Sequence, residues 1–150
     1  MTIQFANCQR LARLDRPTLR ALCRRLLAEH GLDADVSLCY VDNAAIRELN
    51  RRFLRRDEDT DVLSFPLHGG PGPAEDTLLG EVVVSVEKAL TEARRRKLPA
   101  EAEIALYTAH GVLHLLGYDD HTPSQRRRMR RRERQALLEA GLVSRASGCG

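Results

Sequence analysis

Two histidines four residues apart, with a third just beyond a glycine, constrain this 150-residue chain more than any other feature. His110 and His114 fall in a mostly apolar stretch, 100–116, whose length and composition predict a long helix. Side chains four residues apart lie one above the other on the same helical face. Gly117 is well placed to end the helix in a left-handed turn, after which the chain can reverse and bring His121 back to the same point.

Three imidazoles with a fourth position left open are typical of a catalytic zinc site, because structural zinc sites are usually closed by four protein ligands. We therefore predict one Zn²⁺ per chain, bound by His110, His114 and His121. Imidazoles also bind nickel, copper and iron, so the donor set alone does not select the metal. The alternative is that the histidines are unrelated to one another, and this is how we interpret His30, at a predicted helix end, and His68, in a predicted loop. A second interpretation of His68 is that its loop brings it to the site.

The residue after the first histidine narrows the chemistry. Zinc proteases of the H-E-x-x-H type carry their general-base glutamate there, and this chain has Gly111. Peptide hydrolysis of the usual kind would lack its proton shuttle, so a peptidase is disfavoured. Zinc lowers the pKa of its bound water to about 7, which would still supply hydroxide for another hydrolytic reaction.

Hydrophobic periodicity and turn residues predict a mixed α/β (α+β) chain of about four strands and five helices in one domain, 1–143, followed by a disordered tail, 144–150. The segment 67–77 is rich in glycine and proline and predicts a mobile loop. The predicted strands are 2–8, 35–41, 61–66 and 78–86, and the predicted helices are 17–29, 44–51, 87–96, 100–116 and 123–140.

Composition limits where such a chain can act. No stretch approaches the roughly 20 apolar residues of a membrane helix, and the N-terminus lacks the pattern of a secretory signal. The four cysteines are scattered without a C-x-x-C pair. We therefore expect a cytoplasmic protein with no membrane partner and no disulfide.

Arginine makes up nearly all of the positive charge and is clustered at 51–56, 94–96 and 126–134. Arginine binds phosphate bidentately, so these clusters could contact nucleic acid. Solvated helix faces in an organism that favours arginine would have the same appearance. The charge alone leaves both readings open.

The segment His-Gly-Val-Leu-His-Leu-Leu-Gly-Tyr-Asp-Asp-His at 110–121 resembles the signature of the YbeY family of single-strand-specific endoribonucleases and rRNA maturation factors. Two further segments agree in the same order, 59–66 (Asp-Thr-Asp-Val-Leu-Ser-Phe-Pro) and 79–85 (Leu-Gly-Glu-Val-Val-Val-Ser). The resemblance covers about 35–140. It implies a mixed four-stranded sheet, a zincin-like site with zinc on His110, His114 and His121, and a role in maturing the 3′ end of small-subunit rRNA and in ribosome quality control.

The chain departs from the family pattern at two places. The family usually has one aspartate before its third histidine, whereas this chain has Asp119 and Asp120. His121 must then reach the metal through a longer turn, or Asp120 could lie beside the metal as a partner of the ligands. Many members carry an arginine six residues before the threonine that corresponds to Thr60. Leu54 occupies that position here, and Arg55 is the next residue.

The histidine pattern predicts a metal centre, and the resemblance implies that it hydrolyses a single-stranded RNA phosphodiester. His114 and Arg55 are the expected catalytic residues, with Arg55 or a neighbour holding the phosphate. The expected partners are rRNA and small-subunit ribosomal proteins, and DNA is not expected. The alternative is a ribosome assembly factor whose zinc is structural and which binds rRNA without cutting it.

Overall fold

The computed structural model describes residues 1–55, 60–67 and 78–143. They form a single-domain α+β fold with a four-stranded mixed sheet and five helices, so the predicted fold class is confirmed. The strands are β1 (Ile3–Asn7), β2 (Asp35–Val41), β3 (Val62–Pro66) and β4 (Leu78–Ser85), and the helices are α1 (Arg16–Glu29), α2 (Asn43–Leu54), α3 (Val86–Arg96), α4 (Ala100–Leu115) and α5 (Pro123–Glu139).

The strand order in the sheet is β1-β2-β4-β3. β1, β2 and β4 are parallel, and β3 runs antiparallel to β4 at the edge. Leu38 of β2 and Ser64 of β3 both pair with Val82, which places β4 in the interior of the sheet. The continuous apolar run of β4 fits this position, because an interior strand covered on both faces has no solvent-facing side.

The two faces of β4 belong to different apolar clusters, as the alternation of side chains along a strand requires. Val82 and Val84 pack into the main core, which includes residues of α1, α4 and α5. Val83 faces the opposite way and packs with Ile46 of α2 and Leu63 of β3 in a smaller cluster. Helices therefore cover both faces of the sheet.

The predicted histidine helix, α4, is the most deeply buried helix of the described chain. It lies so close to the sheet that a Cβ atom at Gly111 would be 2.3 Å from Val82 Cγ1 and 3.0 Å from Val62 Cγ2. The Ser64 hydroxyl donates a hydrogen bond to the Gly111 carbonyl oxygen, with an oxygen–oxygen distance of 2.8 Å. Gly111 is thus needed for the close packing of α4 against β3 and β4.

Gly117 ends α4 as predicted. Its φ is 99°, in the left-handed region, and the Tyr118 amide donates to the Leu113 carbonyl in the way that closes a helix C-terminus. The predicted helix 44–51 extends further, to Leu54, because Arg55 adopts a left-handed conformation and caps it there. Most of the predicted loop 67–77 and all of the predicted tail 144–150 lie outside the described residues.

None of the helices described here is both long enough and apolar enough to cross a membrane. Cys8, Cys23 and Cys39 are free thiols, and Cys149 falls outside the described ranges.

Candidate metal centre

His110 and His114 face each other one turn apart on α4. Their Nε2 atoms are 3.2 Å apart, and the ring planes meet at 78°. Each imidazole is 27% exposed, so a small ligand can reach both while the rest of the helix stays buried. The spacing of the pair predicted this juxtaposition.

Asp120 brings a carboxylate to the same point. Its Oδ2 atom lies 3.7 Å from His110 Nε2 and 3.5 Å from His114 Nε2. Nitrogen ligands bind zinc at about 2.0–2.1 Å, so two ligand atoms of a tetrahedral site are roughly 3.4 Å apart. The three separations in the structure, 3.2, 3.5 and 3.7 Å, are close to the edges of such a tetrahedron.

The donor set therefore fits a divalent metal in both chemistry and spacing. Two imidazoles and one carboxylate are ligands that zinc accepts in catalytic sites, with a fourth position left for water or substrate. The same set with open positions also suits iron(II), so the ligands alone do not name the metal. Within the described ranges, His110, His114 and Asp120 are the residues that converge in this way.

His121, the third predicted ligand, is exposed and lies outside this group. Its backbone amide donates to Gln125 Oε1, which also accepts from the Thr122 amide at the start of α5. Arg126 donates to the backbone carbonyls of Asp120 and His121. These bonds hold the turn so that the side chain of Asp120, and not that of His121, lies beside the two histidines.

Position 120 is where the family pattern would place its third histidine. In the family pattern a single aspartate precedes the third histidine. When the second histidine is aligned with His114, that aspartate falls on Asp119 and the third histidine falls on position 120. In this chain the position holds an aspartate, and its carboxylate lies where a third ligand is required. The structure therefore favours Asp120 as that ligand, and His121 stays a prediction.

Glu133 contacts the ring nitrogen of His110 that does not face His114 and Asp120. Its Oε2 atom is 2.8 Å from His110 Nδ1, and the side chain is 9% exposed. A carboxylate that accepts a hydrogen bond from Nδ1–H fixes the tautomer whose Nε2 lone pair is free to bind a metal. Glu133 thus orients His110 from α5, across the helix interface.

Burial and the neighbouring negative charges act on the pKa of His110 in opposite directions. Burial lowers the pKa, but the hydrogen bond to Glu133 and the negative charges of Glu133, Asp61 and Asp120 raise it more, so the net shift is upward. A more basic imidazole is a better metal donor once it has lost its Nε2 proton. Because metal and proton compete for that atom, acid should release the metal.

The other candidate residues lie elsewhere. Arg55 is exposed at the end of α2, next to Leu54, and its catalytic role stays a prediction. His30 is structural, as predicted: its Nδ1 is 2.7 Å from the Leu26 carbonyl and its Nε2 is 3.0 Å from the Tyr118 hydroxyl. His68 lies outside the described residues.

Sequence reasoning missed Glu133, although a signal was present. It is the only acid between residues 122 and 138, inside an arginine-rich helix. It also lies four residues after Met129, which anchors the buried face of α5. A lone acid on the buried face of a basic helix indicates a specific partner, since a buried carboxylate needs one.

Replacing Glu133 with alanine should weaken metal binding by roughly 10–100-fold, the usual cost of losing the partner of a ligating histidine. Glu139→Ala, at an acid on the same helix away from the site, is the matched control and should bind metal like the parent. Competition against a chromogenic chelator measures both. Equal affinities in the two variants would show that Glu133 does not orient His110.

Comparisons with known proteins find relatives over most of this chain. The family model described as Endoribonuclease YbeY matches residues 4–141. A protein named Endoribonuclease YbeY from Anaeromyxobacter sp. (strain Fw109-5) is 41% identical over 97% of this chain and 76% of its own length. Its namesake from Myxococcus xanthus (strain DK1622) is 42% identical over 96% of this chain, which spans about half (49%) of that relative.

A solved structure is also similar. The solution structure of TM1509 from Thermotoga maritima superposes with a TM-score of 0.63 at 27% identity, covering 92% of this chain and 88% of that one. The similarity in fold thus extends over nearly the whole chain, and the family model spans the sheet and all five helices. Because the family model and these relatives cover most of its length, this chain belongs to the Endoribonuclease YbeY family.

Proposed function

We propose that this chain is a zinc-dependent endoribonuclease that cleaves single-stranded RNA, acting in the maturation of the 3′ end of small-subunit rRNA and in ribosome quality control. The observation that carries the proposal is the convergence of His110, His114 and Asp120 at tetrahedral spacing. The relatives named Endoribonuclease YbeY support RNA as the substrate. The proposed partners are rRNA and small-subunit ribosomal proteins, and the proposed location is the cytoplasm.

The residues of the chain have separate tasks in this proposal. His110 and His114 hold the metal through Nε2, and Glu133 keeps the His110 proton on Nδ1. Asp120 adds one negative charge, so the centre with a divalent metal bound would carry a net positive charge that attracts a phosphodiester. When bound, the metal would supply a water of pKa about 7 and polarise a phosphoryl oxygen. Arg55 is proposed to hold the phosphate.

The proposal predicts that cleavage of single-stranded RNA depends on both the histidines and the metal. His114→Ala should lower kcat/KM by about a thousandfold or more, because metal stabilisation of the transition state is worth several kcal/mol. A chelator should abolish the activity of the parent, and added Zn²⁺ should restore it. His30→Gln, which changes an imidazole away from the site, should cleave like the parent. Cleavage that survives both His114→Ala and the chelator would contradict the proposal.

A second candidate function is a non-catalytic assembly factor with a structural zinc. One observation favours it: the carboxylate beside His110 on α5, Glu133, is already committed to the imidazole and is not free to act as a general base. This alternative predicts a large fall in Tm on metal removal with no RNA cleavage under any condition. Thermal unfolding with and without chelator, beside the cleavage assay, distinguishes the two.

A further inference from the structure

A groove of about 610 Å³ runs between α4 and α5 and lies next to the metal centre. Ala102, Glu103 and Leu106 of α4 line it. His110 follows Leu106 by four residues and His114 follows by four more, so the groove and the two histidines share one face of α4. Glu133 lines the groove and also bonds to His110. The groove therefore leads away from the metal centre along that face.

One wall of the groove is a row of arginines on α5. Their spacing of three, four and seven residues puts them on a single helical face about 10 Å long. All four are exposed, and within residues 1–55, 60–67 and 78–143 none has an acidic partner. The row consists of Arg127, Arg130, Arg131 and Arg134.

The acids of the groove do not neutralise this row. Five arginines and two glutamates line the groove. Glu103 is paired with Arg96, with an N–O distance of 2.7 Å, and Glu133 is bonded to His110. Like charges three and four residues apart on a helix repel each other, so the row lowers the stability of α5 unless an anion binds there.

The remaining lining is apolar, including Leu98 and Leu137. A groove lined by an arginine row and apolar side chains suits a ligand with both a charged backbone and flat apolar faces. Single-stranded nucleic acid has both. The segment 144–150, which follows Val143 at the groove, contains one arginine and no acid, so it does not complement the row.

We propose that the groove between α4 and α5 binds the phosphate backbone of single-stranded RNA beyond the scissile bond, with the α5 arginine row as its contact. This inference rests on the proposed function for the path of the substrate. The row is independent of the metal ligands, since none of its arginines contacts His110, His114 or Asp120 within the part of the chain that the structure describes.

The test compares two triple variants that remove the same charge. Arg127→Gln/Arg130→Gln/Arg134→Gln changes the row, and Arg10→Gln/Arg13→Gln/Arg24→Gln changes three exposed arginines outside the groove. The metal-loaded proteins are mixed with a fluorescein-labelled single-stranded RNA, and initial anisotropy is recorded over a series of salt concentrations. Metal content and Tm establish that each variant is folded.

The row variant should bind at least about tenfold more weakly, and its slope of log K against log salt should fall by roughly 2, since each phosphate contact on a single strand contributes about 0.7. The control variant should keep both values. Equal losses in the two variants, or no loss in either, would overturn the proposal, as would poly-glutamate competing as well as RNA at equal charge. A parent that binds RNA through the row but does not cleave it would contradict the proposed function and leave the groove standing.

Discussion

Replacing Asp120 with alanine should raise the metal dissociation constant by more than about 100-fold, because losing even a residue that only orients a ligand typically costs 10–100-fold. The carboxylate lies 3.7 and 3.5 Å from the two histidine nitrogens and completes the tetrahedral spacing. Replacing the neighbouring His121 should change the constant by less than about threefold, since no ligand is lost. Isothermal titration with Zn²⁺, or competition against a chromogenic chelator, measures both.

The pair is a matched comparison, because the two residues are adjacent in the same turn and each variant removes one potential ligand. The reverse order, with His121→Ala severe and Asp120→Ala mild, would show that the turn rearranges around the metal and that His121 is the ligand, as the spacing first predicted. Cobalt substitution adds a second readout, because the visible absorption of bound Co²⁺ changes when a ligand is lost.

Replacing Gly111 with alanine should destabilise the fold by about 2–3 kcal/mol, which is typical of overpacking a tight core. The new methyl group would lie 2.3 Å from Val82 Cγ1, and Val82 is fully buried in the central strand. The sign is diagnostic, because glycine to alanine inside an unobstructed helix stabilises by about 1 kcal/mol. Chemical denaturation of parent and variant measures the difference.

A double-mutant cycle locates the cause. In a Val82→Ala background the Cγ1 atom is absent, so Gly111→Ala should cost clearly less than it does in the parent. A penalty that is unchanged by Val82→Ala would place the strain elsewhere, and a stabilising effect in the parent would contradict the close packing of α4. Because a shift of α4 away from the sheet would also move His110 and His114 relative to Asp120, the variant should also bind metal more weakly.

The sequence predicted the elements that depend on local signals. The apolar run and Gly117 defined α4 and its end, and the four-residue spacing brought His110 and His114 together. The continuous apolar run of β4 was recognisable as a strand, and the structure explains it by burial on both faces. Periodicity and turn chemistry are properties of neighbouring residues, so they can be read without the fold.

What depends on packing between elements was less accessible. Whether Asp120 or His121 faces the site is decided by the bonds from Gln125 and Arg126, which become visible only when the turn is placed against α5. Glu133 reaches His110 across 23 residues, and no local pattern relates them. The end of α2 was also missed, because no pattern in the sequence indicated that Arg55 would adopt a left-handed backbone conformation and end the helix there.

The role of the arginine clusters also could not be predicted from the sequence. Their charge alone could not distinguish a solvated face from a binding surface. The structure distinguishes the two readings within α5. Arg126 donates to backbone carbonyls and Arg132 pairs with Glu29, whereas the arginine row on the groove has no such contact within the described chain.

The central claim is that His110, His114 and a neighbouring third ligand bind one catalytic metal per chain, and metal content tests it most directly. Elemental analysis of the purified protein, with His110→Ala/His114→Ala prepared in parallel, should find about one zinc per parent chain and almost none in the double variant, because removing two of three ligands leaves no site. A ratio far below one in the parent, or equal zinc in both proteins, would contradict the account.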